Sequence, residues 1–194
     1  MKSMAAARAE LVRTRVLEAV AGLIAAGDDV TFAKAAAAAG VPERTVYRYF
    51  PNRQVLIAGL FEHTNRQVGF DGDLPTTPAA MVAMVQRVFP GFDTVAPVVA
   101  ELLASPDGRA ARLAAAGERR TAALAVVEEA RPDLPPDEAR RVAAVVQVLG
   151  TAATWQALRD FWDLDGTAAA EAVTTALRLL LTDPHPPPPT PRRS

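Results

Sequence analysis

The stretch that decides the fold is TFAKAAAAAGVPERTVYRYFPNR, residues 31–53. Its first half is almost pure alanine, the strongest helix former. Gly40 interrupts that run, and Pro51 stops a second one. Two short helical segments joined by a glycine-containing turn are the composition cue for a helix-turn-helix. Ala36 and Ala39 are small enough for a second helix to approach closely, and Gly40 can take the positive φ of a sharp turn. Val41 and Val46 supply apolar anchors, and Phe50 plugs the underside. Arg44, Thr45, Tyr47, Arg48 and Tyr49 then share one seven-residue helix, dense in hydrogen-bonding side chains and poor in acid. A DNA major groove accepts such a helix while the first one crosses the backbone. An ordinary helical hairpin is the plain alternative.

Glycines and prolines cut the rest of the chain into further helices. Before the motif, a helix over about 4–26 carries a stripe of Val12, Val16, Leu17, Val20, Leu23 and Ile24 at helical spacing. After it, Asn52 is a plausible N-cap for a helix over 53–68. Residues 69–75 read as a linker. Helices are then predicted over about 78–89, 93–104, 107–131, 136–161 and 167–182, with Pro90, Pro106, Pro132 and Pro135 as punctuation. Residues 184–194 hold six prolines in eleven positions, a composition that favours an extended, disordered tail. No segment alternates as a strand does. The expected fold is all-α, with a three-helix helix-turn-helix DNA-binding domain over 1–69 and a helical ligand-binding and dimerisation domain over 70–183.

Composition bounds the chemistry. The 194 residues are 50% hydrophobic, with 41 Ala, 19 Arg and only 2 Lys. No cysteine is present, which rules out disulfides, thiolate zinc sites and cysteine nucleophiles. The two histidines, His63 and His185, are too far apart to suggest a helical metal pair, and neither a metal nor a cofactor is expected. Residues 1–11 contain no apolar stretch of secretory type, and no run approaches the roughly 20 apolar residues of a membrane span. A cytoplasmic protein, nucleoid-associated when bound to DNA, is the expectation. The net charge of -1 hides a division. Residues 1–69 carry nine Lys/Arg against six Asp/Glu, a surplus of three; residues 70–194 carry twelve against sixteen, a deficit of four.

Gly40-Val41, then Thr45-Val46-Tyr47-Arg48-Tyr49-Phe50, then Arg53 and Leu56 together resemble the N-terminal signature of the tetracycline-repressor-like (TetR) family. The resemblance covers roughly residues 10–60. It implies a ligand-responsive transcriptional regulator, most often a repressor, that binds a palindromic DNA operator as a homodimer. On these positions it places Thr45 and Tyr47 against phosphate and base edges, and Tyr49, where histidine is commoner, within reach of a phosphate. Arg53 stands for the usual lysine at the start of the fourth helix, where charge and free N–H groups suit a phosphate. Thr31 opens the second helix and donates to the DNA backbone. Arg44 is the candidate for sequence readout, because arginine binds guanine O6 and N7 bidentately. Lys34 and Arg48 are either phosphate contacts or solvated charges. Two departures stand out. Pro42 occupies a position where a serine N-cap is common, and Ala35 replaces a larger aliphatic whose space Phe32 would fill.

No residue constellation in the C-terminal part argues for catalysis, so an enzyme is not expected. Asp160, Asp163 and Asp165 read as a helix end and turn. Two apolar stripes suit either the monomer core or a dimer interface: Val142, Val146, Leu149 and Ala153, and Ala169, Val173, Ala176 and Leu180. The resemblance implies dimerisation through these last helices. Ligand candidates are Met84, Phe89, Leu113, Gln147, Thr151 and Trp155, with Met81, Phe92 and Phe161 beside them. Few charges lie among them, so a hydrophobic, neutral small-molecule effector is expected. The competing reading is a helical small-molecule-binding protein whose DNA-binding module is degenerate.

Overall fold

In a computed structural model, residues 4–182 are described. They form eleven helices and no strand. The order is α1 (Met4–Ala25), α2 (Phe32–Ala39), α3 (Glu43–Tyr49), α4 (Arg53–Gln67), α5 (Pro78–Thr94), α6 (Ala96–Ala104), α7 (Pro106–Leu113), α8 (Ala116–Ala130), α9 (Pro136–Leu149), α10 (Ala152–Trp162) and α11 (Gly166–Leu181). The proline-rich segment 184–194 lies outside the described residues. Among those residues no helix is long and apolar enough to cross a membrane.

Two cores hold the molecule together. The first joins Val16, Leu17 and Val20 of α1 to Ala35, Ala36 and Ala39 of α2, Val46 of α3, Phe50, and Leu56, Ile57 and Leu60 of α4. Val98 and Leu102 of α6 belong to it as well, so the first core extends past residue 69. The second is built on α5 and α11, with Val126, Val127, Val146 and Trp155 from the helices around them. Asp93 stitches this core at its edge, accepting from Trp155 Nε1 at 3.0 Å and from the Gly166 amide at 2.7 Å. Asp163 closes α10 in the left-handed conformation, and the Asp165 side chain caps α11 by accepting from the Ala168 amide.

Three of the expected helix limits are corrected. Pro90 does not end α5, which runs on to Thr94. Proline removes one N–H and crowds the carbonyl four residues back. Burial of Phe89 and Phe92 on one side carries the helix through, and the Thr94 hydroxyl donates to the Gly91 carbonyl at 2.7 Å. The expected helix 107–131 is two helices, because Arg119 Nη1 donates to the Arg112 carbonyl at 2.7 Å and caps the end of α7 from outside. The expected helix 136–161 is also two. The hydroxyls of Thr151 and Thr154 both donate to the Val148 carbonyl, a local side-chain bond that competes with helix continuation.

His63 on α4 is buried, with Nε2 unpartnered. Burial, and then Arg66, hold it below the ordinary value of 6.5, against a smaller opposing pull from Glu18. The folded chain therefore binds this proton less readily than the unfolded chain does. Stability is full above pH 6.5 and falls as the pH drops below it, by at most about 1.4 kcal/mol per pH unit for one proton. Thermal melts between pH 7 and 5 should show this decline, and His63→Leu should flatten it. An equally steep decline in the variant would assign the effect to other groups.

Candidate functional site

The N-terminal face is built from α2 and α3. The Thr31 side chain caps α2 by accepting from the Lys34 amide at 3.2 Å. At the other end Gly40 takes φ 63°, ψ 38°. Its N–H donates to the Ala37 carbonyl and that of Val41 to the Ala36 carbonyl, the paired bonds of a Schellman stop. A β-carbon at residue 40 would also crowd Arg15, whose Nη2 donates to the Ala39 carbonyl at 2.8 Å. α1 thus fixes the end of α2. It fixes the end of α3 too, where Arg13 lies 5.0 Å above the buried Phe50 ring and Nη1 donates to the Tyr49 carbonyl.

With Val46 and Phe50 buried, α3 turns its other side outward. Arg44 is exposed and makes no hydrogen bond or ion pair with the described residues. Tyr47 is 48% exposed, and its ring lies flat on Phe32, with centroids 4.4 Å apart. Phe32 thus positions Tyr47, while Ala35 is itself fully buried. The Arg48 guanidinium sits 4.9 Å above the Tyr49 ring and donates to its hydroxyl. Thr45 is partly buried. Lys34 pairs with Asp28 at 3.4 Å across exposed surface. Pro42 offers α3 no side-chain cap, and Glu43 supplies the favourable charge in its first turn. Arg44, Tyr47 and Arg48 share the exposed side of α3, and the Phe32–Tyr47 stack joins it to the start of α2.

Arg53 is engaged differently. Its Nη1 donates to the Val30 carbonyl at 3.0 Å, and the guanidinium pairs with Asp107 at 3.3 Å and more loosely with Glu101. It ties the first turn of α4 to α6 and α7 and so enters this face already occupied.

The second element is a cavity of about 150 Å³ against the second core, with Phe61 reaching it from the first. Met84, Gln147 and Thr151 line it, as do Met81 and Phe92. The other ligand candidates need correction. Phe89 and Trp155 are core residues, 0% and 1% exposed, and they hold Phe92 from either side. Leu113 and Phe161 face outward at 49% and 82% exposure.

The rest of the wall lies outside the sequence expectation. Phe61 and Asn65 of α4 and the capping Val68 line it, and Phe70, Leu74 and Pro75 come from the segment read as a linker. Arg112 and Arg119 bring charge to a site expected to be free of it. Both unexpected helix breaks, at 114–115 and 150–151, border this cavity. Burial holds both guanidiniums below the ordinary arginine value, and Arg109 and Arg119 add repulsion at Arg112.

The expected dimer stripes are largely used within the protomer. Val146, Ala169 and Val173 are buried in the second core, and Val142 and Leu149 pack against it. Side chains already covered by α5, in the case of α11, and by α8 and α11, in the case of α9, have little surface left for a partner. Ala153 is exposed, and Ala176 and Leu180 are partly so. The exposed line runs instead through Ala153 and Phe161 on α10, with Ala157 half-buried between them, and through Ala172, Thr175 and Leu179 on α11. Neither the protein-family models nor the curated proteins compared with this sequence give a match, so the family resemblance stands on the residues between 10 and 60 alone.

Proposed function

We propose that this chain is a transcriptional regulator of the tetracycline-repressor-like kind, which binds a palindromic DNA site as a homodimer and is released by a small molecule. The observation that carries the reading is the division of α3. Val46 and the adjoining Phe50 are locked in the core, while Arg44, Tyr47 and Arg48 are displayed on a helix too short to have much other use. Arg44 reads a base edge, Tyr47 and Thr45 contact the strand beside it, and Lys34, Arg48 and the Thr31 hydroxyl hold phosphates. The Thr31 oxygen accepts the cap bond, which leaves its proton available to donate.

A homodimer formed through the outward sides of α10 and α11 presents two such helices to successive major grooves, roughly 34–36 Å apart. The cavity is the effector site. α4 and α7 both line it, and Asp107 of α7 holds Arg53 at the start of α4. A ligand that favours one placement of α7 therefore biases the placement of the DNA-reading helices, by no more than its difference in affinity for the two states.

Selection of random double-stranded DNA by the full chain tests the reading. The expected product is a palindrome with half-sites one helical turn apart. Recovery of no preferred sequence at moderate salt would overturn it and favour a small-molecule-binding protein without a DNA target.

A further inference from the structure

We infer that the cavity against the second core takes a small apolar carboxylate, its ring or chain among the methionines and phenylalanines and its anionic end on Arg112 and Arg119. The inference rests on the reading of this cavity as an effector site, and it replaces the neutral ligand expected from sequence with an anionic one.

The apolar part is set by Phe61, Met81, Met84, Val88 and Phe92. Its size is set by the volume of about 150 Å³, which corresponds to an apolar cavity of about 150 Å³ that admits a single benzene-sized ring. The charged part is set by two half-buried arginines on the same wall. Neither makes an ion pair with a carboxylate among the described residues, and only Glu118, next in the chain, favours the charge of Arg119 against the larger effect of burial.

Their existing bonds leave capacity. A guanidinium carries five N–H donors. Arg112 uses Nη1 and Nη2 on the carbonyls of Leu102 and Leu103, and Arg119 uses Nη1 on the carbonyl of Arg112. Arg119 also lies 5.7 Å from the Phe61 ring centroid, so a cavity wall residue holds it in place. Two like charges brought together in a partly desolvated site favour an anion between them, and a carboxylate matches the planar donor fork of arginine. The side-chain amides of Asn65 and Gln147 line the same space without a hydrogen bond to the described residues, and they can orient the bound group. A cationic ligand would meet repulsion. A neutral one would leave the guanidiniums unpaired as it expelled their water.

The test compares isosteric pairs by calorimetry on the full chain without DNA: benzoate against benzamide, and phenylacetate against phenylacetamide. Each carboxylate is expected to bind about ten to a hundred times more tightly than its amide, as charge-assisted bonds to retained arginines require. Arg119→Met should bring benzoate down to the level of benzamide, and Arg119→Lys should recover part of the difference. Because Arg119 also caps α7, the wild-type comparison stands by itself if the methionine variant does not fold. Equal affinity for acid and amide, or no heat with millimolar benzoate or phenylacetate, would overturn the inference. Carboxylate binding by a chain that selects no DNA removes the regulatory reading and leaves this one standing. DNA selection with no carboxylate binding does the reverse.

Discussion

Affinity for the selected DNA site is expected to fall about a thousandfold as salt rises from about 50 to 200 mM. Lys34, Arg44 and Arg48 from each protomer bring six cations to the duplex. Each neutralised phosphate releases about 0.9 of a counterion, so log K falls against log salt with a slope near -5, and a fourfold rise in salt gives about three decades. Arg53 does not add to that slope, because two acids, Asp107 and Glu101, and the Val30 carbonyl hold it, whereas Lys34 has only the exposed Asp28 to exchange for a phosphate. Arg53→Ala is therefore expected to leave the slope unchanged, whereas Lys34→Ala and Arg48→Ala should each reduce it by about two per dimer. Arg44→Ala should reduce it too, and should also relax preference at one base pair by about 1–3 kcal/mol. Fluorescence anisotropy over a salt series reads all four. A flat profile removes the electrostatic footprint, and a shallower slope in Arg53→Ala would show that Arg53 leaves its acids for a phosphate.

The N-terminal unit was legible because its signals are local. Asn52 caps α4 by accepting from the Val55 amide, Gly40 stops α2, and Val46 and Phe50 are buried where the turn demands apolar anchors. The caps depend on neighbours within a few positions, and the two apolar anchors are legible from the turn although distant helices, α1 and α4, cover them. The engagement of Arg53 was not legible, since Asp107 and Glu101 lie some fifty residues further along the chain. The second core was hidden for another reason. Alanine is tolerated both inside and on the surface, so α9 and α11 each show apolar or small residues on more than one face, and only packing decides which face α8 covers on α9 and α5 covers on α11. Val145 and Val148 are exposed while Val146 between them is buried.

The cavity was the least legible feature. Nothing in Leu113-Ala-Ala-Ala-Gly117 announces a helix break until the side chain of Arg119 reaches back to a carbonyl seven residues earlier. Phe70 and Leu74 sat in plain view inside a supposed linker. Two bulky apolar residues among glycines and aspartates are a signal that such a segment is a wall.

Gly108→Ala is expected to destabilise the fold by about 3 kcal/mol or more, at the upper end of overpacking effects. A β-carbon at Gly108 would lie 2.1 Å from the Leu102 carbonyl oxygen and 2.8 Å from the Leu102 Cα. That obstacle is backbone, with no rotamer to move aside, so α7 itself must shift away from α6. The shift would break three things together: the Ser105 cap on the Gly108 amide, the Arg112 bonds to Leu102 and Leu103, and the Asp107–Arg53 pair. For a chain of this size the loss corresponds to a fall in Tm of about 6–12 °C. Gly22 is the internal control. It stands exposed in the last turn of α1 with nothing within 4 Å of an added β-carbon, so Gly22→Ala should stabilise by about 0.5 kcal/mol, the low end of the helix-propensity gain. Two glycines inside helices, indistinguishable by composition, should therefore move Tm in opposite directions. If Gly108→Ala melts with the wild type, α7 is not seated on α6 as described, and the route from Arg112 through Asp107 to Arg53 loses its anchor.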